Sequence, residues 1–263
     1  ILDELFAVNK KRMWEFCGGI LEGKEKYGWD FDWCFQTHAS AKLDLETLKL
    51  AKQAGCFSFS YGLESASPIV LESMNKKIKV EQVIEAIQLA EEAGVGFSAN
   101  LIFGDPAETM ETMAESISFW MTYGKGAFIF LANLAPYPGS AVFKACREKG
   151  MFQNKQEYYE KIDQAPVNLT AIPEREYGGL LQLVRFLEQS WLFTRVTPIL
   201  KLEEVESDAL LLRYQGGFYY KVTAKCPYCG EVIEYKERVL DIKQPFWLGT
   251  GCTKCNRKIK VVN

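Results

Sequence analysis

Eight cysteines punctuate the 263 residues, and four of them fall in two matched pairs near the C-terminus, Cys226-Pro227-Tyr228-Cys229 and Cys252-Thr253-Lys254-Cys255. A Cys-x-x-Cys step turns the chain tightly enough to aim two thiolates at one point. Two such steps, here framing 22 residues, close a tetrahedral site for Zn2+ through Cys226, Cys229, Cys252 and Cys255. A redox dithiol needs one pair, not two, and an iron site of the rubredoxin kind is the remaining rival to zinc. With four thiolates there is no open position for catalysis, so the site is structural and contributes folding free energy to a segment too small for a core of its own. Gly230 and Asn256 follow the second cysteine of each pair, where their amides are expected to bend back toward the sulfurs.

The other chemistry-bearing residues lie in polar turns. Gly62-Leu63-Glu64-Ser65 and Asn100-Leu101-Ile102-Phe103-Gly104-Asp105-Pro106 each follow a strand-like run. An acid such as Glu64 at a buried-strand end needs a partner, because unpaired buried charge is expensive. Gly104 in the second turn would let backbone approach a ligand closely. Gln36, Thr37 and His38, the only histidine, end the aromatic run Phe31 to Thr37. His38 reads either as a ligand contact or as a satisfied structural residue. Asp3 and Glu4 read as ligand contacts past a strand end, or as acids favoured at the start of the next helix. Cys34 and Cys56 alternate with apolar residues and read as small hydrophobes.

What positions these turns is a unit that occurs twice. Leu50-Ala51-Lys52-Gln53-Ala54-Gly55-Cys56-Phe57-Ser58 recurs 39 residues on as Leu89-Ala90-Glu91-Glu92-Ala93-Gly94-Val95-Gly96-Phe97-Ser98. Each copy is a helix end, a glycine stop and a strand. Val80, Val83, Ile84, Ile87 and Ala90 share one face of a 3.6-residue period, as do Leu45, Leu48 and Ala51 after Asp44, an expected N-cap. Gly55 and Gly94 sit where a left-handed C-terminal residue is wanted. Ser67-Pro68 and Ser140 are expected to open further helices, the latter ending at Gly150. Strand-helix-strand units of this length imply parallel neighbours with right-handed crossovers, and ligands at the C-terminal strand ends. At least five strands follow this order, the fifth from Phe128 to Leu134.

Three regions emerge: an α/β part over 1–150, a helical appendage over 151–205 carrying Leu180, Leu183, Val184, Leu187 and Trp191, and a β-rich cysteine domain over 206–263. The appendage could cover an open sheet edge. A formal net charge of −3 excludes a general nucleic-acid coat, but residues 221–263 hold nine Lys/Arg against four Asp/Glu, a local +5 that leaves −8 for residues 1–220. Beside Tyr228 and Trp247, that basic segment could engage RNA or an acidic protein, or be a solvated face docked on the acidic part. No apolar run reaches the ~18–20 residues that span a bilayer, so no membrane partner is expected. Paired cysteines without a secretory signal suggest a reducing, cytoplasmic setting.

At Gly62-Leu63-Glu64-Ser65-Ala66-Ser67-Pro68, Val70-Leu71 and Met74-Asn75-Lys76 the sequence resembles the radical S-adenosylmethionine (radical SAM) superfamily, nearest to its methylthiotransferase-like and cobalamin-binding members. Asn100 to Thr109 resembles their fifth-strand motif, Pro136-Tyr137-Pro138-Gly139-Ser140 the sixth-strand ending, and Asp3-Glu4-Leu5-Phe6 the acidic segment after strand two. The resemblance covers about residues 1–150. It implies a partial (β/α)6 TIM-like barrel that binds a 4Fe-4S cluster and S-adenosylmethionine, with reductive cleavage to a 5′-deoxyadenosyl radical and hydrogen abstraction from a substrate it does not identify. An electron donor for the cluster is implied too. By position, Asp3 or Glu4 would approach the methionine amino group, Glu64 and Ser65 the ribose or methionyl end, and Ile102 with Gly104 the adenine; Gln36, His38 and Asn100 are the further cofactor-facing candidates. The family's Cys-x-x-x-Cys-x-x-Cys is missing from this chain. The expectation is a later part of a longer enzyme, inactive alone, truncated at its N-terminal strand, with an upstream cobalamin domain compatible with the resemblance. The alternative is a non-catalytic binding or scaffold protein working through a basic zinc ribbon.

Overall fold

Along four successive strands alternate side chains are buried, most of them apolar and many aromatic, and that alternation builds the first half of the molecule. The computed structural model describes residues 1, 5–7, 9–38, 41, 43–162, 167–189, 192–205, 219–240, 242, 246–255 and 257–263. Strands β1 (Trp33–Thr37), β2 (Cys56–Glu64), β3 (Gly96–Phe103) and β4 (Phe128–Asn133) form one parallel sheet in the order β1-β2-β3-β4. Helices α1 (Lys10–Tyr27), α2 (Leu45–Gln53), α3 (Pro68–Ser73), α4 (Val80–Ala93) and α5 (Met110–Tyr123) connect and flank them. The register sets Phe35 opposite Phe59 and Phe59 opposite Phe97, so their rings stack or meet edge-on at 5.6 and 5.3 Å. Such pairs add to what burial alone contributes.

Onto this aromatic face the helices lay their apolar stripes. Met13 and Cys17 of α1, Leu48 and Ala51 of α2, Val83 and Ala90 of α4, and Met113 and Trp120 of α5 are buried in one core with the strands. Helix ends fall where side-chain chemistry puts them. Asp44 accepts the Thr47 amide at 2.9 Å, and Ser140 accepts that of Phe143 at 3.0 Å. Gly94 ends α4 at φ 68° and Gly55 follows α2 at φ 99°, values that favour glycine. Ser67 does occupy the N-cap of α3, but its hydroxyl makes no cap bond and is buried without a partner. The expected strand at the very start involves residues 2–4, outside the described residues. Around it, the Ile1 amino group donates to the Cys34 carbonyl at 2.8 Å and the Phe6 amide to that of Gln36 at 3.3 Å.

After β4 come α6 (Ala141–Glu148), a short α7 (Lys155–Glu157) running into a π-helical turn, and α8 (Glu174–Gln189). Phe143, Phe152 and Tyr158 make a small core of their own. Helix α8 buries Tyr177, Leu181 and Val184 in the main core, beside the edge strand β4, as an amphipathic cover should. Leu183, expected on its buried stripe, is exposed, and Trp191 lies outside the described residues.

The last part of the chain is a second sheet: β5 (Arg195–Val205), β6 (Tyr219–Lys225), β7 (Val232–Val239), β8 (Trp247–Gly251) and β9 (Lys258–Val262), in the order β7-β6-β5-β9-β8. The sequence pattern puts a boundary between residues 205 and 206 and groups 195–205 with the helices. In the structure those eleven residues are the central strand of this sheet, antiparallel to β6 and parallel to β9. Their pairing partners are distant in sequence, which no local pattern reveals. Val222, Ala224, Ile259 and Val261 bury together with Cys226 and Cys252. Among the described residues no helix is long and apolar enough to cross a membrane.

Phe59 stands between Phe35, Tyr61 and Phe97. Phe59→Ala is expected to lower stability by ~3–5 kcal/mol, read as a fall in the urea midpoint; a change within ~0.5 kcal/mol, the range of surface substitutions, would contradict this packing.

Candidate functional site

The face of the parallel sheet that these helices leave uncovered mixes polar side chains with the aromatic rings of β4. Its rungs follow from the register: Cys34 lies opposite Ser58, Gln36 opposite Ser60, Ser60 opposite Ser98, Ser98 opposite Phe128, Asn100 opposite Phe130 and Ile102 opposite Ala132. A sheet buried on both faces would read as continuous apolar runs; here serines and amides alternate with the core residues. Cys56 is buried as a small hydrophobe, but Cys34 is exposed on this face, so its alternation with Trp33 and Phe35 put it on the opposite side from the core.

At the C-terminal end of this face three side chains lock together. Lys76 Nζ donates to Glu64 Oε1 at 2.9 Å and to the Gly62 carbonyl at 3.4 Å, and Asn100 Nδ2 donates to Glu64 Oε2 at 3.3 Å. The pair is only partly exposed, with side-chain exposures of 27% for Lys76 and 14% for Glu64. The β2–β3 register shifts between Tyr61 and Glu64, and Glu64 itself has φ 68°. A bulge re-aims a side chain, and a non-glycine residue in the left-handed region is the kind of strain that gathers at functional sites. Gly62 makes room for this corner: a Cβ there would lie 2.7 Å from Glu64 Oε1 and 3.2 Å from Lys76 Nζ. Lys76, which no spacing rule singled out, arrives because Asn75, at φ 54°, turns the chain back after α3. An Asn directly after a short helix is the signal that could have found it.

Gln36 and Ile102 share this open face, and His38 is half-buried just beyond β1. Asp3 and Glu4 lie outside the described residues. Ser65 is elsewhere: 1% exposed, its hydroxyl is 3.2 Å from that of Ser116 on α5 and accepts the Ser67 amide at 3.1 Å. The left-handed turn at Glu64 sends the next side chain into the helix layer, which removes Ser65 from the cofactor-facing group. Gly104 has φ 120°, and packing uses its missing side chain. The space of its absent Cβ is filled by Tyr177 Oη at 2.7 Å and Leu134 Cβ at 3.1 Å, so it serves the packing of α8. Beside it Glu108 is buried, with one oxygen accepting the Gly104 amide and the other unpartnered. Burial pushes its carboxyl up to about 7, with nearby Asp105 adding to the shift.

In the C-terminal sheet the four paired cysteines converge, all Sγ within 4.8 Å of one another. Cys226 and Cys255 sulfurs are 3.7 Å apart, as are those of Cys229 and Cys252. A tetrahedral metal with ~2.3 Å bonds to sulfur demands edges of ~3.8 Å. The amides of Tyr228, Lys254 and Cys255 point at the Cys226 and Cys252 sulfurs at 3.3–3.4 Å. Gly230, expected to do this, instead donates to the Cys226 carbonyl, because the amides inside each turn are the nearer ones; Asn256 lies outside the described residues. This group can hold a metal ion. Tyr228 is no open stacking platform, since the Arg195 and Arg257 guanidinium groups lie 4.7 and 5.2 Å from its ring and its hydroxyl donates to the Phe193 carbonyl at 2.9 Å. Of Trp247 only the backbone is described.

The radical SAM superfamily model matches residues 13–119, the stretch from α1 through β1, β2 and β3 into α5, with the Glu64–Lys76–Asn100 corner inside it. The parallel half of this chain is similar to the radical SAM superfamily. An uncharacterised methyltransferase of Pyrococcus horikoshii is 31% identical over 146 residues, 54% of this chain and 30% of that protein. The anaerobic magnesium-protoporphyrin IX monomethyl ester cyclase of Cereibacter sphaeroides is 31% identical over 157 residues, 57% of this chain and 24% of that one. The chain thus aligns with less than a third of the length of these relatives. Among solved structures, the radical SAM methyltransferase TsrM of Kitasatospora setae, with cobalamin and a 4Fe-4S cluster bound, matches 51% of this chain and 28% of its own at 20% identity and a TM-score of 0.44.

The cofactors of a radical SAM protein meet these residues unequally. S-adenosylmethionine suits the open face, where a held carboxylate, an amide and the apolar Ile102 adjoin. A 4Fe-4S cluster does not suit the cysteines of the parallel half. Cys17, Cys56 and Cys146 are buried, and burial pushes the first two thiols up to about 11 and 12, far from the thiolate form that binds iron. No group of three ligands forms there among the described residues.

Glu108 gives a pH prediction. Its folded value of about 7 stands above the ordinary 4.5 of a glutamate, so the folded state keeps a proton that the unfolded chain releases, and stability falls as pH rises between them. Glu108→Gln is expected to flatten the loss of stability from about pH 5 to about pH 8 by ~1–3 kcal/mol, measured as urea midpoints across that range. An unchanged slope would place the titration elsewhere.

Proposed function

We propose that this chain forms part of a radical SAM enzyme. It would be a partial (β/α)6 barrel whose open face holds S-adenosylmethionine and substrate, joined to a zinc ribbon, with the cluster ligands supplied by polypeptide outside these 263 residues. The observation that carries the reading is the Glu64–Lys76–Asn100 corner inside the family match. When bound, S-adenosylmethionine supplies the 5′-deoxyadenosyl group as the family's hydrogen-abstracting agent. This chain's residues orient it. Glu64, fixed by Lys76 and Asn100, presents a carboxylate acceptor to a hydroxyl or ammonium group; because its rotamer is already set, little ordering cost remains on binding. Ile102 offers an apolar surface for the adenine, and Gln36 an amide lower on the same face.

Zinc fits the four-cysteine group by its sulfur spacing and its amide-to-sulfur bonds. In a closed four-thiolate site it serves the fold of the ribbon and no chemistry.

Two outcomes test this. In the full-length gene product, reconstituted anaerobically, reductant-dependent 5′-deoxyadenosine should form, and Glu64→Gln should weaken S-adenosylmethionine binding about tenfold, the loss of roughly one charge-assisted hydrogen bond, without changing zinc content. Cofactor affinity that ignores Glu64, or a protein that takes up iron yet never cleaves S-adenosylmethionine, would overturn the reading. Cys226→Ser should abolish zinc binding and speed amide exchange across β5 to β9, while β1 to β4 stay protected because their core is separate. Joint loss of protection in both sheets would show a single cooperative unit.

A further inference from the structure

The two sheets meet over the lower part of the open face. Lys258 Nζ sits 4.9 Å from the Phe128 ring and 5.8 Å from that of Phe130, and a Cβ on Gly251 would come within 3.2 Å of Phe128. Yet they do not close. A crevice of about 640 Å3 remains, walled on one side by the parallel sheet and on the other by residues of β7, β8 and the second cysteine turn.

Its chemistry is specific. Ser58, Ser60 and Ser98 supply hydroxyls from the strand face beside Phe128 and Phe130, and Tyr235, itself buried in the core of the second sheet, is among the lining residues. Tyr235 is fixed in place by its bond to the Gly251 carbonyl at 3.0 Å. Arg238 lies at the exposed rim, its guanidinium 5.8 Å from the Tyr235 ring, and makes no ion pair with any described residue. Asp32 is the one acid among the lining residues. Accessible aromatic rings such as that of Phe130 receive a flat ring system, and a guanidinium that no described residue pairs recognises a carboxylate, phosphate or sulfonate through paired N–H donors.

We propose that this crevice holds the body of the substrate, and that the substrate is an aromatic anion. The inference rests on the open face being the reaction face. The geometry along the strands supports it: Ser98 precedes Asn100 by two residues and Ser60 precedes Glu64 by four, so the crevice begins roughly 7–13 Å below the Glu64 corner. A ring system lying in the crevice can therefore extend its reacting end toward a cofactor held at Glu64. The cysteine module is then a wall of the substrate chamber, and Cys252, which lines it, ties that wall to the metal site.

The test uses anilinonaphthalene sulfonate, a fluorescent aromatic anion, and neutral phenylnaphthylamine, on the zinc-loaded protein. The sulfonate should bind one to one. Arg238→Gln should weaken it about tenfold while leaving the neutral probe unchanged, and Phe130→Ala should weaken both. Saturating sulfonate should also slow iodoacetamide alkylation of Cys34, located by peptide mass mapping, since Cys34 lies in the crevice. Equal sulfonate affinity with and without Arg238, or no protection of Cys34, would overturn the inference. These readouts do not involve S-adenosylmethionine. Failure here with cofactor binding intact sinks only the substrate chamber, and failure of cofactor binding with the probe bound sinks only the catalytic reading.

Discussion

The alternation of side chains along β1 to β4, with helices packed against one face only, is the constraint on which the rest depends. Successive residues of a strand point to opposite faces. Once Trp33, Phe35, Phe59, Tyr61, Phe97 and Leu101 enter the helix-covered core, their neighbours Cys34, Gln36, Ser58, Ser60, Ser98 and Asn100 have nowhere to go but the open side. A one-residue slip in any strand would exchange the two sets, so the stability of the aromatic core and the composition of the open face are enforced by the same register.

The Glu64 corner shows what that rigid support permits. A left-handed backbone at a glutamate costs of order 1 kcal/mol or more, and a half-buried carboxylate needs a partner. Lys76 and Asn100 supply it, Gly62 leaves them the room, and the neighbouring Ser65–Ser116 contact anchors the turn from below. The strained residue is held from three directions by elements that fold for other reasons, which is how such a conformation persists.

The C-terminal sheet stands on a different footing. Its core is small, includes Cys226 and Cys252, and is drawn together by four sulfurs at metal-ligand spacing. Its basic character finds a use within the molecule, where Lys258 lies beside the aromatic pair on β4, Lys236 reaches Asp30 at 3.6 Å, and Arg195 and Arg257 both lie against Tyr228. Arg238 is left over, and with it the crevice.

Much was legible in the linear chain because it is encoded within a few residues. Helix periodicity, the caps at Asp44 and Ser140, the left-handed glycines Gly55 and Gly94, the parallel order and the two cysteine turns are all local signals, and the repeated helix-glycine-strand unit named the fold class by itself. What needed tertiary structure were contacts between distant segments. Strand β5 is recognised by its partners β6 and β9, not by its own pattern. Ser65 is turned into the helix layer only through the backbone turn at Glu64, Gly104 packs against Tyr177 only because α8 arrives there, and Cys34 differs from Cys56 only through which face the helices cover. Lys76 joins Glu64 from twelve positions further along the chain. The sequence by itself determined which elements form and which residue types end their strands; the tertiary structure alone decided which side chains meet, because a side chain's surroundings are set by register and packing between segments far apart in the chain.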